Sequence, residues 1–152
     1  MYPPSMQSSR GVVQPIDPAP VTTDGQLAAG LPTSGQPTVT ALAGLGTGTA
    51  TLDAPFSDHA GFVLLNPAGA PAAGQYAQVL FSKPLATWAV PLLIDESSTH
   101  PGGGSENTSG APWSCQLVFQ GTQIIGFNII NQTALPAGNH YRVAFVMVGI
   151  GS

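Results

Sequence analysis

The chain has 152 residues, enough for one ordinary domain and little more. Charged residues are only 7% of the total, against roughly a quarter in typical soluble proteins, and the net charge is −4. The three cations, Arg10, Lys83 and Arg142, are far apart in sequence, which argues against a nucleic-acid binder needing clustered phosphate-neutralising charge. There is no run of about 18 apolar residues for a membrane-spanning helix, and the single cysteine, Cys115, rules out an intramolecular disulfide.

Residues 1–37 form one compositional zone holding seven of the fifteen prolines: Pro3, Pro4, Pro15, Pro18, Pro20, Pro32 and Pro37. Proline fixes φ and removes a backbone donor, so neither a helix nor a central strand runs through such a stretch. Its large apolar residues are too sparse to form a core. The zone reads as an extended arm whose anchors, Tyr2, Val12, Val13 and Ile16, are candidates for binding a partner. It lacks a basic stretch followed by an apolar one, so a chain made and folded in a cytoplasm is expected.

Residues 38–152 read as one domain. Short β-type runs alternate with Gly, Pro and Asn turns at Thr38–Leu42, Thr47–Leu52, Gly61–Asn66, Gln75–Ser82, Thr87–Ile94, Ser114–Gln120, Gln123–Ile130 and Tyr141–Ile150. No convincing helical stripe interrupts them. About eight strands predict an all-β, single antiparallel β-sandwich of jelly-roll type. Alternation puts Ala77, Val79 and Phe81 on one face, opposite Tyr76, Gln78 and Leu80, and groups Cys115, Leu117 and Phe119. The last run is apolar on both faces, so it is either central in its sheet or covered by another subunit; covering is the expectation, with Val146, Val148 and Ile150 as the oligomer interface.

Few residues suggest chemistry. Asp58-His59 has no further ligand at metal-binding spacing, so His59 reads as a surface histidine. Asp95 and Glu96 are adjacent, so a strand would point them to opposite faces, poor geometry for paired catalysis; they read as solvating the following loop. Ser82-Lys83 shows no orienting partner. Gly44-Leu45-Gly46-Thr47-Gly48 lacks the Lys-Ser/Thr of a phosphate loop and reads as a turn or joint. Cys115 reads as a small hydrophobe. The polar stretch Asp95–Pro112 is a surface loop; with His100 and its flanking Trp88 and Trp113 it is a candidate ligand loop, while core packing is the competing reading for both tryptophans. The expectation is a protein that is not an enzyme and has no cofactor or metal.

Phe81–Pro84 (F-S-K-P), Pro91–Asp95, Thr122–Phe127 and the closing aromatic strand Tyr141–Gly149 resemble a recurrent β-sandwich of phage fibres, spikes and decoration proteins, related to the H-type lectin domain. The resemblance covers about half the chain. The loop before Trp113 is longer than in that pattern, and the closing strand lacks its W-x-A ending. Such domains form trimers, so the resemblance implies a homotrimeric virion structural protein, a capsid decoration, cement or spike subunit attached to coat proteins through its arm. The alternative is a lectin-like, receptor- or glycan-binding module of a tail fibre, with a host glycan as partner.

Overall fold

The computed structural model divides the chain into two units, Met1–Thr33 and Ser34–Ser152. Residues 35–85, 89–96 and 112–149 are described below. The anchors Tyr2, Val12, Val13 and Ile16, the loop residues Trp88 and His100, and Ile150 lie outside them.

Eight strands follow in order: β1 (Thr38–Ala41), β2 (Thr49–Asp53), β3 (Ala60–Asn66), β4 (Gly74–Leu85), β5 (Ala89–Asp95), β6 (Trp113–Gln120), β7 (Gln123–Asn131) and β8 (Tyr141–Gly149). A 3-10 turn at Ala43–Leu45 joins the first two, and there is no α-helix among the described residues. The strands form two four-stranded antiparallel sheets, β1-β4-β7-β6 and β2-β3-β8-β5. Only β2–β3 and β6–β7 are consecutive strands that pair within a sheet. The expected all-β sandwich is the observed fold.

The core forms because the strands are two-sided. Val79, Phe127 and Ile129 of the first sheet meet Val63, Leu65, Val143 and Phe145 of the second, all fully or almost fully buried. Phe127 bridges the layers, its ring centroid 5.2 Å from that of Phe145 and 6.0 Å from that of Phe81. Gly126 has no side chain for a steric reason: a Cβ there would sit 2.1 Å from the Val79 carbonyl oxygen on β4, so only glycine admits the neighbouring strand.

Strict alternation fails with consequence near the start of β4. The β4–β7 register slips between Gln75 and Ala77, leaving Tyr76 as an extra residue on β4. This bulge turns Tyr76 inward, so it is fully buried together with Ala77 rather than on the opposite face. Its hydroxyl donates to the Thr133 carbonyl (3.1 Å) and accepts from the Leu135 N–H (2.9 Å), tying the β7–β8 connection to the core. Phe119 pairs with buried Ile124 but remains exposed near the end of β6.

The Gly44–Gly48 stretch is a turn pinned to the core. Leu45 is fully buried, and Gly46 has φ 64°, the left-handed region that glycine enters without strain. Gly35 and Pro37, just before β1, are also buried.

Candidate interaction face

The two outward faces differ in chemistry. Across the first sheet the register places Thr40, Gln78, Asn128 and Gln116 in one row. Gln78 Nε2 donates to Asn128 Oδ1 at 3.0 Å, and Gln75 Nε2 donates to Gln116 Oε1 at 2.9 Å. Amides and hydroxyls thus replace surface charge there, which answers how so uncharged a chain can present one face to water.

The second sheet presents a block of aliphatic side chains instead. Its rows run Asp53–Phe62–Ala144–Ile94, then Ala60–Val146–Leu92, then Val148–Val90. Val90 is 38% exposed, Ile94 47%, Val148 46% and Leu92 54%. Val146, between them, is half-buried. Contiguous apolar strips on a charge-poor surface mark places where something binds.

One edge of this block is fixed by Arg142. Its Nε donates to Asp53 Oδ2 at 3.1 Å and its Nη1 to Glu96 Oε2 at 3.3 Å. Its guanidinium lies over the Phe62 ring, 3.8 Å from the centroid. The cation is buried while both carboxylates keep about a third of their exposure. Beyond it, His140 Nδ1 meets Asn66 Oδ1. The outer face therefore has a polar end and an apolar end.

Several sequence expectations change here. β8 is central, lying between β3 and β5. Flanking strands account for the burial of Ala144 but leave Val148 open. Glu96 does not merely solvate a loop: its N–H donates to the Arg142 carbonyl at 2.9 Å and its carboxylate pairs with the guanidinium. Ser82 does have a partner, since Asp58 Oδ1 accepts its N–H at 2.8 Å and Oδ2 its hydroxyl at 2.5 Å. Asp58 is buried, and its own N–H donates to the Gly35 carbonyl at 3.1 Å. A Cβ on Gly35 would fall 2.3 Å from Oδ2, so this carboxylate latch needs glycine at the start of the described chain. His59 is half-buried, with its Nδ1 buried and unbonded, and its carbonyl accepts the Met147 N–H at 2.7 Å.

Of the proposed ligand-loop residues, only Trp113 is described. It packs on the core between two tyrosines, its ring centroid 5.9 Å from Tyr76 and 6.4 Å from Tyr141, near edge-on to both. That is the core reading. Cys115 lies on the inner side of β6, half-buried, with its thiol 3.6 Å from the Pro91 carbonyl oxygen; burial raises its pKa above a thiol's ordinary value. Val146 and Val148, expected at an interface, do lie on the apolar face. Val90, Leu92 and Ile94 were missed. Their alternation around Pro91 was visible in the sequence, but not that β5 lies beside β8.

Among the described residues no group of three His, Cys, Asp or Glu could hold a metal ion, and no helix is long and apolar enough to cross a membrane. Compared with protein-family profiles, curated proteins and solved structures, the chain matches none.

Proposed function

We propose that this chain is a non-enzymatic structural subunit of a virus particle, a capsid decoration, cement or spike component that associates with its own copies and attaches to coat proteins. The observation that carries the reading is the unequal pair of sheet faces: a neutral amide-and-hydroxyl face suited to water, and a face on which Val90, Leu92, Ile94 and Val148 stand open. A chain with 7% charged residues keeps such a face out of water best by covering it. The setting, a virus particle, comes from the resemblance of the second half of the chain to fibre and spike sandwiches.

Attachment is assigned to the leader, whose scattered apolar residues, Tyr2, Val12, Val13 and Ile16, suit shallow pockets on a lattice of coat subunits. Many weak contacts on a repeating surface add by multivalency. The cut that tests this falls after residue 34, because Gly35 and Pro37 belong to the sandwich. Full-length chain should cosediment with coat shells, whereas residues 35–152 should stay folded and remain in the supernatant. Equal cosedimentation of both forms refutes the leader's role.

A further inference from the structure

Resting on the self-association reading, we infer that a second copy of this chain covers the apolar end of the β2-β3-β8-β5 sheet, face to face, about a two-fold axis crossing the strands at the Leu92–Val146 row.

The row order selects that geometry. Leu92 and Val146 are register partners at the middle of the apolar block. On one side lie Ile94 and Ala144, on the other Val90 and Val148. A two-fold across this middle row sets Ile94 and Ala144 of one copy against Val90 and Val148 of the other, small beside large on both sides of the axis. Such an isologous contact is self-complementary and closed, and aligned sheets pack at about 10 Å with their outer side chains interleaved.

Charge placement excludes the other face-to-face choice. With the axis along the strands, like ends coincide, and Asp53, Glu96 and Arg142 of one copy face the same three residues of its partner. Each trio carries two carboxylates to one guanidinium, and the carboxylates are still partly hydrated. Burying them costs desolvation and adds like-charge repulsion. With the axis across the strands, unlike ends meet: Asp53 and the Arg142 guanidinium over Phe62 lie to the side of the block, on β2 and β3, and neither trio faces its own copy.

Edge pairing is disfavoured. β5 is the edge strand beside the apolar block, β2 being the other edge of the sheet, and Pro91 within β5 removes a backbone donor from it. The face, not the edge, is the route to a partner. A standard interface takes about 800 Å² from each side, more than these aliphatic side chains expose, so the pairing is weak singly and strengthened by a lattice. A two-fold contact replaces the three-fold one that the resemblance implies.

The test is a cysteine cross-link in the full chain with Cys115→Ala. Val90 and Ile94 are four residues apart on one strand, about 13 Å. Mixing Val90→Cys with Ile94→Cys and adding a short bis-maleimide that spans the roughly 10 Å between packed sheets should give a covalently linked dimer, and neither variant alone should give one. Cross-linking of Val90→Cys to itself means like ends meet and overturns the inference. Absence of any cross-link at about 100 µM, with folding confirmed by circular dichroism, overturns it too. Cosedimentation with coat shells is read separately, so a failed cross-link with retained attachment removes the two-fold contact and leaves the decoration reading standing.

Discussion

The guanidinium of Arg142 lies 3.8 Å from the Phe62 ring centroid, and both residues belong to the outer face of the same sheet. Phe62 is thereby roofed by a cation that Asp53 and Glu96 hold in place. Without that roof the apolar block would extend one residue further across the sheet. Arg142 therefore marks the line between the polar and apolar ends of the face.

Arg142→Ala should destabilise the sandwich by about 2–4 kcal/mol, because it uncovers Phe62 and takes the guanidinium away from both carboxylates. Glu96→Gln and Asp53→Asn should each cost about 1 kcal/mol or less, since those groups are partly solvated. Urea denaturation at neutral pH checks the order; a loss for Glu96→Gln equal to that for Arg142→Ala contradicts it.

Tyr76 links stability to alkaline pH. Burial raises its pKa above a phenol's ordinary value, the Leu135 N–H lowers it in part, and Tyr141 raises it. The folded phenol holds its proton at pH values where the unfolded one has begun to lose it. This contribution is thus complete below about pH 10 and declines as pH rises from there through the folded pKa. Tyr76→Phe removes that decline but strands the Leu135 N–H, costing about 1–3 kcal/mol at pH 7. Denaturation profiles at pH 7 and about pH 11 should show the gap between wild type and Tyr76→Phe narrowing with pH.

Gly126→Ala should prevent β4 and β7 from closing, with a loss of about 3 kcal/mol or more or no soluble fold, because its Cβ would meet the Val79 carbonyl oxygen. Gly121, whose added Cβ would meet nothing within 4 Å but which has φ 63°, should pay only the strain of a left-handed alanine, about 1–2 kcal/mol. Thermal unfolding of the two variants separates the steric cause from the conformational one.

Cys115 should react with a thiol reagent at pH 8 more slowly in the folded chain than in denaturant, since burial keeps its thiol protonated. Equal rates would place the thiol outside the sandwich.

The eight strands were legible because each is a short alternating run closed by turn residues, and observed and expected bounds differ by at most three residues. The bulge that buries Tyr76 was not, because an inserted residue only shows against its partner strand. Long-range partners were hidden for the same reason. Arg142 finds Asp53 across 89 residues and Glu96 across 46, and Ser82 finds Asp58 across 24. The interaction face was half legible: two apolar faces on the last strand pointed to Val146 and Val148, whereas the contribution of β5 depends on which strand lies beside it.

The central claim is that the open aliphatic face of the second sheet joins copies of the chain. Sedimentation equilibrium of the full chain and of Leu92→Glu, up to about 100 µM, tests it most directly. The account predicts a monomer–dimer equilibrium for the wild type and a folded monomer for Leu92→Glu, in which a carboxylate would be buried at the axis. A wild-type monomer throughout that range, a trimer, or a Leu92→Glu variant that still dimerises contradicts it.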